Sequence, residues 1–200
     1  MKLSRKTVLT LGIIFSITSL LTYSSISLAG ELTSVVDDFS NVQRNSLGIP
    51  RQFLDDKMSG GQTQTEIEVL GGKLHVKGKI TPPRGQPGWA SSVLLLNEKG
   101  LPQDASKFAG VRLLIKVDKG SISISANSAE VANYDYHAAM VTVQSDGKFH
   151  EVKIPFTSMK RAWSEQTELN TATISALSIV AFGMQPIHFD YEIDEVSFYY

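Results

Sequence analysis

Apolar and polar positions alternate with a period of two along most of the chain, and almost nowhere with the 3.6-residue period of a helix. The clearest stretch is Thr65-Glu66-Ile67-Glu68-Val69-Leu70, then Gly71-Gly72, then Lys73-Leu74-His75-Val76-Lys77. A two-residue Gly-Gly loop supplies the positive φ angles of a primed hairpin turn and sets the register. Val69 then faces Leu74 and Ile67 faces Val76 on one side, while Glu66 faces Lys77 on the other. Lys119-Gly120 and Asp146-Gly147 separate two further pairs of alternating runs and predict two more hairpins. The first of these sets Val117 against Ile122, Ile115 against Ile124 and Leu113 against Ala126, with Arg112, Lys116, Ser123 and Ser125 turned outward. The second sets Val141 against Val152 and Ala139 against Ile154.

Val35 to Phe39, Ala90 to Asn97, Ile174 to Phe182 and Phe189 to Tyr199 add strands, for about ten in all. Short strands punctuated by Gly, Pro and Asn predict an all-β sandwich or barrel in a single domain. One stretch, Ser164 to Leu169, has room for a helical turn. The outward set includes Glu66, Lys77, Arg112 and Lys116, which argues against a lipid-facing barrel.

Composition changes the picture once the chain is divided. The first 29 residues hold Lys2, Arg5 and Lys6, an apolar run from Val8 to Leu21, and Ser27-Leu28-Ala29 before Gly30. These are the three parts of a cleaved export signal, with a single domain over residues 30–200 and a periplasmic or secreted product that keeps no membrane span. The remainder carries 16 Lys and Arg against 20 acids, which leaves no electrostatic footprint for nucleic acid. The chain has no cysteine, so thiol nucleophiles, thiolate metal sites and disulfides are excluded.

The search for reaction chemistry is negative. There is no G-x-S-x-G elbow, no phosphate loop ending in G-K-[ST], no G-x-G-x-x-G after a strand and no H-E-x-x-H, and the four histidines (His75, His137, His150, His188) are scattered. The expectation is a protein that binds rather than catalyses. If Ala139, Val141 and Val143 point inward, then Tyr134, Tyr136, Met140 and Thr142 share the outward face. Tyrosine rings stack on sugar C–H patches while their hydroxyls hydrogen-bond, so this face is a candidate contact surface; covering loops are the plainer alternative. Trp163, in the polar stretch Lys160 to Glu165, is either a lid folded back on the domain or an exposed stacking platform. Trp89 and Phe156 sit among alternating apolar residues and are expected in the core, with Met58 capping it at the Met58-Ser59-Gly60-Gly61 turn.

Asp56-Lys57-Met58-Ser59-Gly60-Gly61-Gln62, the strand Leu74 to Gly78, Gly88-Trp89-Ala90-Ser91, Phe108-Ala109-Gly110 and Phe149 to Phe156 together resemble the complex I intermediate-associated protein family. The blocks come in the family's order; Ser59 and Trp89 depart from its usual pattern. The resemblance implies an antiparallel jelly-roll β-sandwich of the galactose-binding-like kind, an architecture shared with many carbohydrate-binding modules. It also implies a structural calcium between the first and last strands, for which Asp38 and Asp194 or Glu195 offer oxygen ligands. The same acids also read as a solvated strand start and a bulge. Two function classes follow: an exported non-catalytic module for a glycan, using Tyr134, Tyr136, Met140 and Trp163, or an assembly factor docking a protein partner at the cell envelope.

Overall fold

The computed structural model describes residues 31–200, and the export signal expected over residues 1–29 lies outside them. Twelve strands follow one another: β1 (Val35–Asp37), β2 (Gln52–Asp55), β3 (Gln64–Leu70), β4 (Lys73–Ile80), β5 (Gly88–Leu95), β6 (Gly110–Lys119), β7 (Ser121–Ser128), β8 (His137–Val141), β9 (His150–Pro155), β10 (Lys160–Arg161), β11 (Ile174–Gly183) and β12 (Ile187–Tyr199). They form two antiparallel sheets. One runs β3-β4-β12-β6-β9, with β1 also on β12; the other runs β10-β8-β7-β11-β5-β2. Among the described residues no helix is long and apolar enough to cross a membrane.

The β3–β4 hairpin has the expected register: Val69 pairs with Leu74, Ile67 with Val76 and Glu66 with Lys77. The other two expected hairpins are corrected. β6 lies between β12 and β9 in one sheet, whereas β7 lies between β11 and β8 in the other, so the chain changes sheets at Gly120. Likewise β8 pairs with β7 and β10 while β9 pairs with β6, so residues 142–149 cross between sheets. The inward faces are nonetheless those expected. Leu113, Ile115, Ile122, Ile124 and Ala126 are almost wholly buried, because residues assigned to neighbouring strands instead meet across the sandwich. At Gly120 the backbone has φ +92°, and a Cβ there would stand 2.8 Å from Cβ of Phe189; a glycine permits both the bend and the approach.

The core fills the space between the sheets, with Leu74, Phe189, Tyr191, Ile193 and Phe198 from one side and Leu94, Leu177 and Ile179 from the other. A shift of register between Ile193 and Glu195 lets β12 keep both Ile193 and Val196 inward. Tyr191 is enclosed, its hydroxyl 3.4 Å from the Ser92 hydroxyl of the opposite sheet, and burial pushes its ionisation up to about 12 against the smaller opposing effect of that contact. Phe156 is in the core as expected, but Met58 is exposed: the turn that follows β2 buries Asp56 in its place. Residues 164–169 form no helical turn; the short 3-10 turns lie at Asp56–Ser59, Phe156–Ser158 and Thr171–Thr173.

Candidate functional site

The two sheets turn different outer faces to the surroundings. On the β3-β4-β12-β6-β9 sheet, outward positions carry a lattice of ions. Arg112 bridges Glu151 at 2.7 Å and Glu195 at 2.6 Å, Lys116 pairs with Glu192, His75 lies 2.8 Å from Asp190 and Lys77 is 3.3 Å from Glu66.

Pairing across the other sheet lines up its outward residues in rows. Lys160, Ala138, Ser125, Ser178, Val93 and Gln52 form one, and Met140, Ser123, Val180, Ser91 and Leu54 the next. Lys160 is the one charged residue in these two rows. The middle of the face is a floor of hydroxyls and small apolar groups, with Ser125 and Ser178 only 2% and 5% exposed although they point away from the core. The alternation Ser121-Ile122-Ser123-Ile124-Ser125-Ala126 builds much of it, since each isoleucine turned inward leaves a serine turned out.

Two loops set an aromatic group at one corner of this floor. Trp163 meets Tyr136 edge-to-face, with ring centroids 5.3 Å apart and planes at 86°. Trp163 is 60% exposed, so of its two expected forms the structure shows the open platform. Tyr134 is 94% exposed and its backbone has φ +63°, a left-handed conformation costly for a bulky residue. Met140 is half exposed on β8, on the outer side with Tyr136, while Tyr134 and Tyr136 precede the strand rather than belong to it.

Asp135 joins the two loops. Its buried carboxylate accepts from Arg161 Nε at 2.9 Å, from the Ala162 and Ser164 backbone N–H groups at 3.0 Å each and from the Tyr136 N–H at 2.8 Å. Burial alone would raise its pKa, but the bonds from Arg161, Ser164 and Tyr136 outweigh it and hold the group well below the usual carboxylate range. Burial, helped by the Asp135 charge, keeps the Tyr136 hydroxyl protonated to higher pH than usual. Arg161 also reaches Asn133 at 3.1 Å and Thr167 at 3.3 Å, so both aromatic loops hang from one ion pair. Sequence reading missed this hub; its signal was an acid between two outward tyrosines and an arginine two residues before the tryptophan.

Trp89, expected in the core, instead stands half-buried on the outer face beside Phe182, to which it is paired, in a third row with Ser121. Its neighbour Ala90 takes the inward position. The reason is that both faces of β5 are rich in apolar residues, so alternation alone does not say which face is the core.

The acids considered for calcium are distributed otherwise. Asp38 is exposed, and its carboxylate accepts from the Ser40 N–H and hydroxyl at 3.1 and 2.7 Å and the Ser46 hydroxyl at 3.0 Å. Glu195 is held by Arg112, and Asp194 lies in the irregularity of β12. Between the first and last strands the buried charge is Asp37, gripped by Arg51 at 2.5 and 2.8 Å, so a guanidinium supplies the compensation a cation would bring. Among the described residues no group of three or more acids or histidines gathers around one point, and these residues do not fit the ion.

The solved structures similar to this chain share its sandwich. A family 11 carbohydrate-binding module from Clostridium thermocellum, in complex with a β-1,3-1,4-mixed-linked tetrasaccharide, superposes with a TM-score of 0.61 at 17% identity, over 83% of this chain and 94% of that one. The family 11 module of a cellulosomal cellulase of that organism gives 0.57 at 18% identity, over 82% and 92% of the two chains. An agarase gives 0.54 at 9% identity, over 82% of this chain but 26% of the agarase chain. At such identities the likeness is one of fold, the jelly-roll β-sandwich. No curated protein matches the chain by sequence. The family model of Complex I intermediate-associated protein 30 (CIA30) matches residues 44–193, well over half of the chain, and the protein therefore belongs to the CIA30 family.

Proposed function

We propose that the protein is an exported, non-catalytic module that binds a neutral glycan on the outer face of its β10-β8-β7-β11-β5-β2 sheet. The observation that carries this reading is the surface whose two central rows hold one charge, Lys160 at the edge, with the Tyr136–Trp163 pair at its corner. A sugar chain offers hydroxyls that both donate and accept, and the hydroxyls of Ser91 and Ser121, which reach the surface, answer either role. It offers no charge to offset the desolvation of an ion, so a floor without ions suits it. Its C–H faces pack on aromatic rings, which Tyr134, Tyr136 and Trp163 present. The family 11 module in complex with a tetrasaccharide supports the reading through its likeness of fold. Export rests on the cationic start, the apolar run and Ser27-Leu28-Ala29, and N-terminal sequencing of the protein recovered from the periplasm or medium is expected to begin at Gly30.

Affinity electrophoresis in gels containing mixed-linked β-glucan, other neutral polysaccharides or an anionic polysaccharide tests the binding. The neutral gels are expected to retard the protein, and Trp163→Ala to cut that retardation about tenfold in apparent affinity. Failure of every neutral glycan to retard it, or retardation indifferent to Trp163→Ala and Tyr136→Ala, overturns the reading. The family match favours a second one, in which the same face docks a protein partner during assembly at the cell envelope. Co-purification of one partner lost on Tyr136→Ala, with no glycan bound, would establish it instead.

A further inference from the structure

The Asp56-to-Gly61 turn stands between β2 and β3. Its centre is the fully buried Asp56, whose carboxylate accepts from the Thr63 N–H at 3.1 Å, the Thr63 hydroxyl at 2.7 Å and the Trp89 N–H at 3.2 Å. Two glycines make room for it. A Cβ on Gly61 would stand 2.2 Å from the Asp56 carboxyl carbon, and one on Gly88 2.8 Å from its Oδ2. The turn thus fastens the beginning of β5 and fixes the backbone of Trp89. Trp89 and Phe182, paired side by side, form a second aromatic surface on the outer face that holds Tyr136 and Trp163.

The two aromatic groups stand at opposite corners of the floor. Tyr136 precedes His137, which pairs with Ala126, so it lies beside Asn127 at one end of β7; Phe182 pairs with Ser121 at the other end. Six residues of strand separate these ends by about 20 Å, and the three strand steps from β8 to β5 add about 14 Å sideways. A single sugar reaches one group but not both. Resting on the glycan reading above, we infer that the face takes an internal stretch of a linear neutral polysaccharide, lying across the serine floor and contacting Trp89–Phe182 at one end and Tyr136–Trp163 at the other.

The chain has two tryptophans, one in each group, and this makes each group separately observable. In Trp163→Phe, emission comes from Trp89 alone; in Trp89→Phe, from Trp163 alone. Titration with mixed-linked β-glucan oligosaccharides of increasing length is expected to shift Trp163 emission with short oligomers and Trp89 emission only with long ones. Trp89→Leu is expected to weaken the longest oligomer about fivefold and leave the shortest unchanged. If the oligomers bind in a Trp163-dependent manner while Trp89 emission stays still at every length, the second group is not a contact and the inference falls with the glycan reading intact. If no neutral oligomer or polymer binds, the glycan reading itself falls. Should Trp89→Leu fail to fold, the emission of Trp163→Phe still decides.

Discussion

The outer faces of the two sheets are built from the same alternating strands, yet one is a lattice of paired ions and the other a floor of hydroxyls between aromatic corners. Both lie outside the core, so packing dictates neither composition. The ion lattice of Arg112, Lys116, Glu151, Glu192 and Glu195 satisfies its own charges and keeps the sheet soluble. The serine face has rings at two corners to offer a ligand and almost no charge to repel or select one. Two surfaces at equal remove from the core thus differ in charge and in aromatic content, and the face with the exposed rings is the candidate site.

A charge placed on each face tests this contrast most severely. Ser125→Asp puts a carboxylate where the side chain is 2% exposed, and is expected to cost about 3 kcal/mol in urea unfolding and to abolish glycan retardation. Leu114→Lys on the ionic face sets a cation opposite Glu151 and Glu195 and is expected to cost less than about 1 kcal/mol. Equal costs would mean that the faces do not differ as described.

Between the faces, Tyr191 links the sheets and carries a pH signature. Its hydroxyl ionises near pH 10 when unfolded and only near about 12 when folded. The stability due to its enclosure is therefore complete below pH 10 and is lost as the pH rises from 10 to 12, by up to about 3 kcal/mol. Tyr191→Phe removes that slope; a slope that persists in the variant assigns it to another group.

Arg112→Met, on the ionic face alone, is expected to lower stability by less than about 1 kcal/mol and leave glycan retardation unchanged, as measured by melting and affinity electrophoresis. Loss of binding in this variant would move the site to the wrong face. The smallest expected effect concerns calcium. Because Arg51 compensates Asp37 and Arg112 holds Glu195, melting midpoints in calcium and in chelator are expected to coincide. A clear rise with calcium would reinstate Asp38, Asp194 and Glu195 as ligands.

How far the sequence could be read depended on which face a pattern described. For β3 and β4 the inward apolar pairs and the outward pair Glu66 and Lys77 agreed, and that register is the observed one. For β6 and β7 only the inward side matched; in the expected register Lys116 had Ser123 and Arg112 had Asn127 opposite, with no charge complementarity. Apolar residues that face each other across a sandwich give the same inward match as residues in a hairpin, so one face cannot distinguish the two. Tyr134, Tyr136, Met140 and Trp163 were legible because large apolar groups fell on the polar side of an alternation or in a polar loop. Trp89 was not, because β5 is apolar on both sides, and Asp135 was not, because its partner Arg161 is 26 residues away.

By itself the sequence determined the strand content, the inward or outward direction of most strand residues and the one hairpin with a Gly-Gly turn. These follow from local sterics, since side chains of an extended backbone alternate whatever the strand pairs with. Only the tertiary structure decided which sheet each strand joins, and with it the meeting of β8, β7, β11 and β5 on one face. Backbone hydrogen bonds carry no side-chain label, so their partners are chosen by the closure of the whole sandwich. That closure set Trp89 and Trp163, 74 residues apart in the chain, on the same surface.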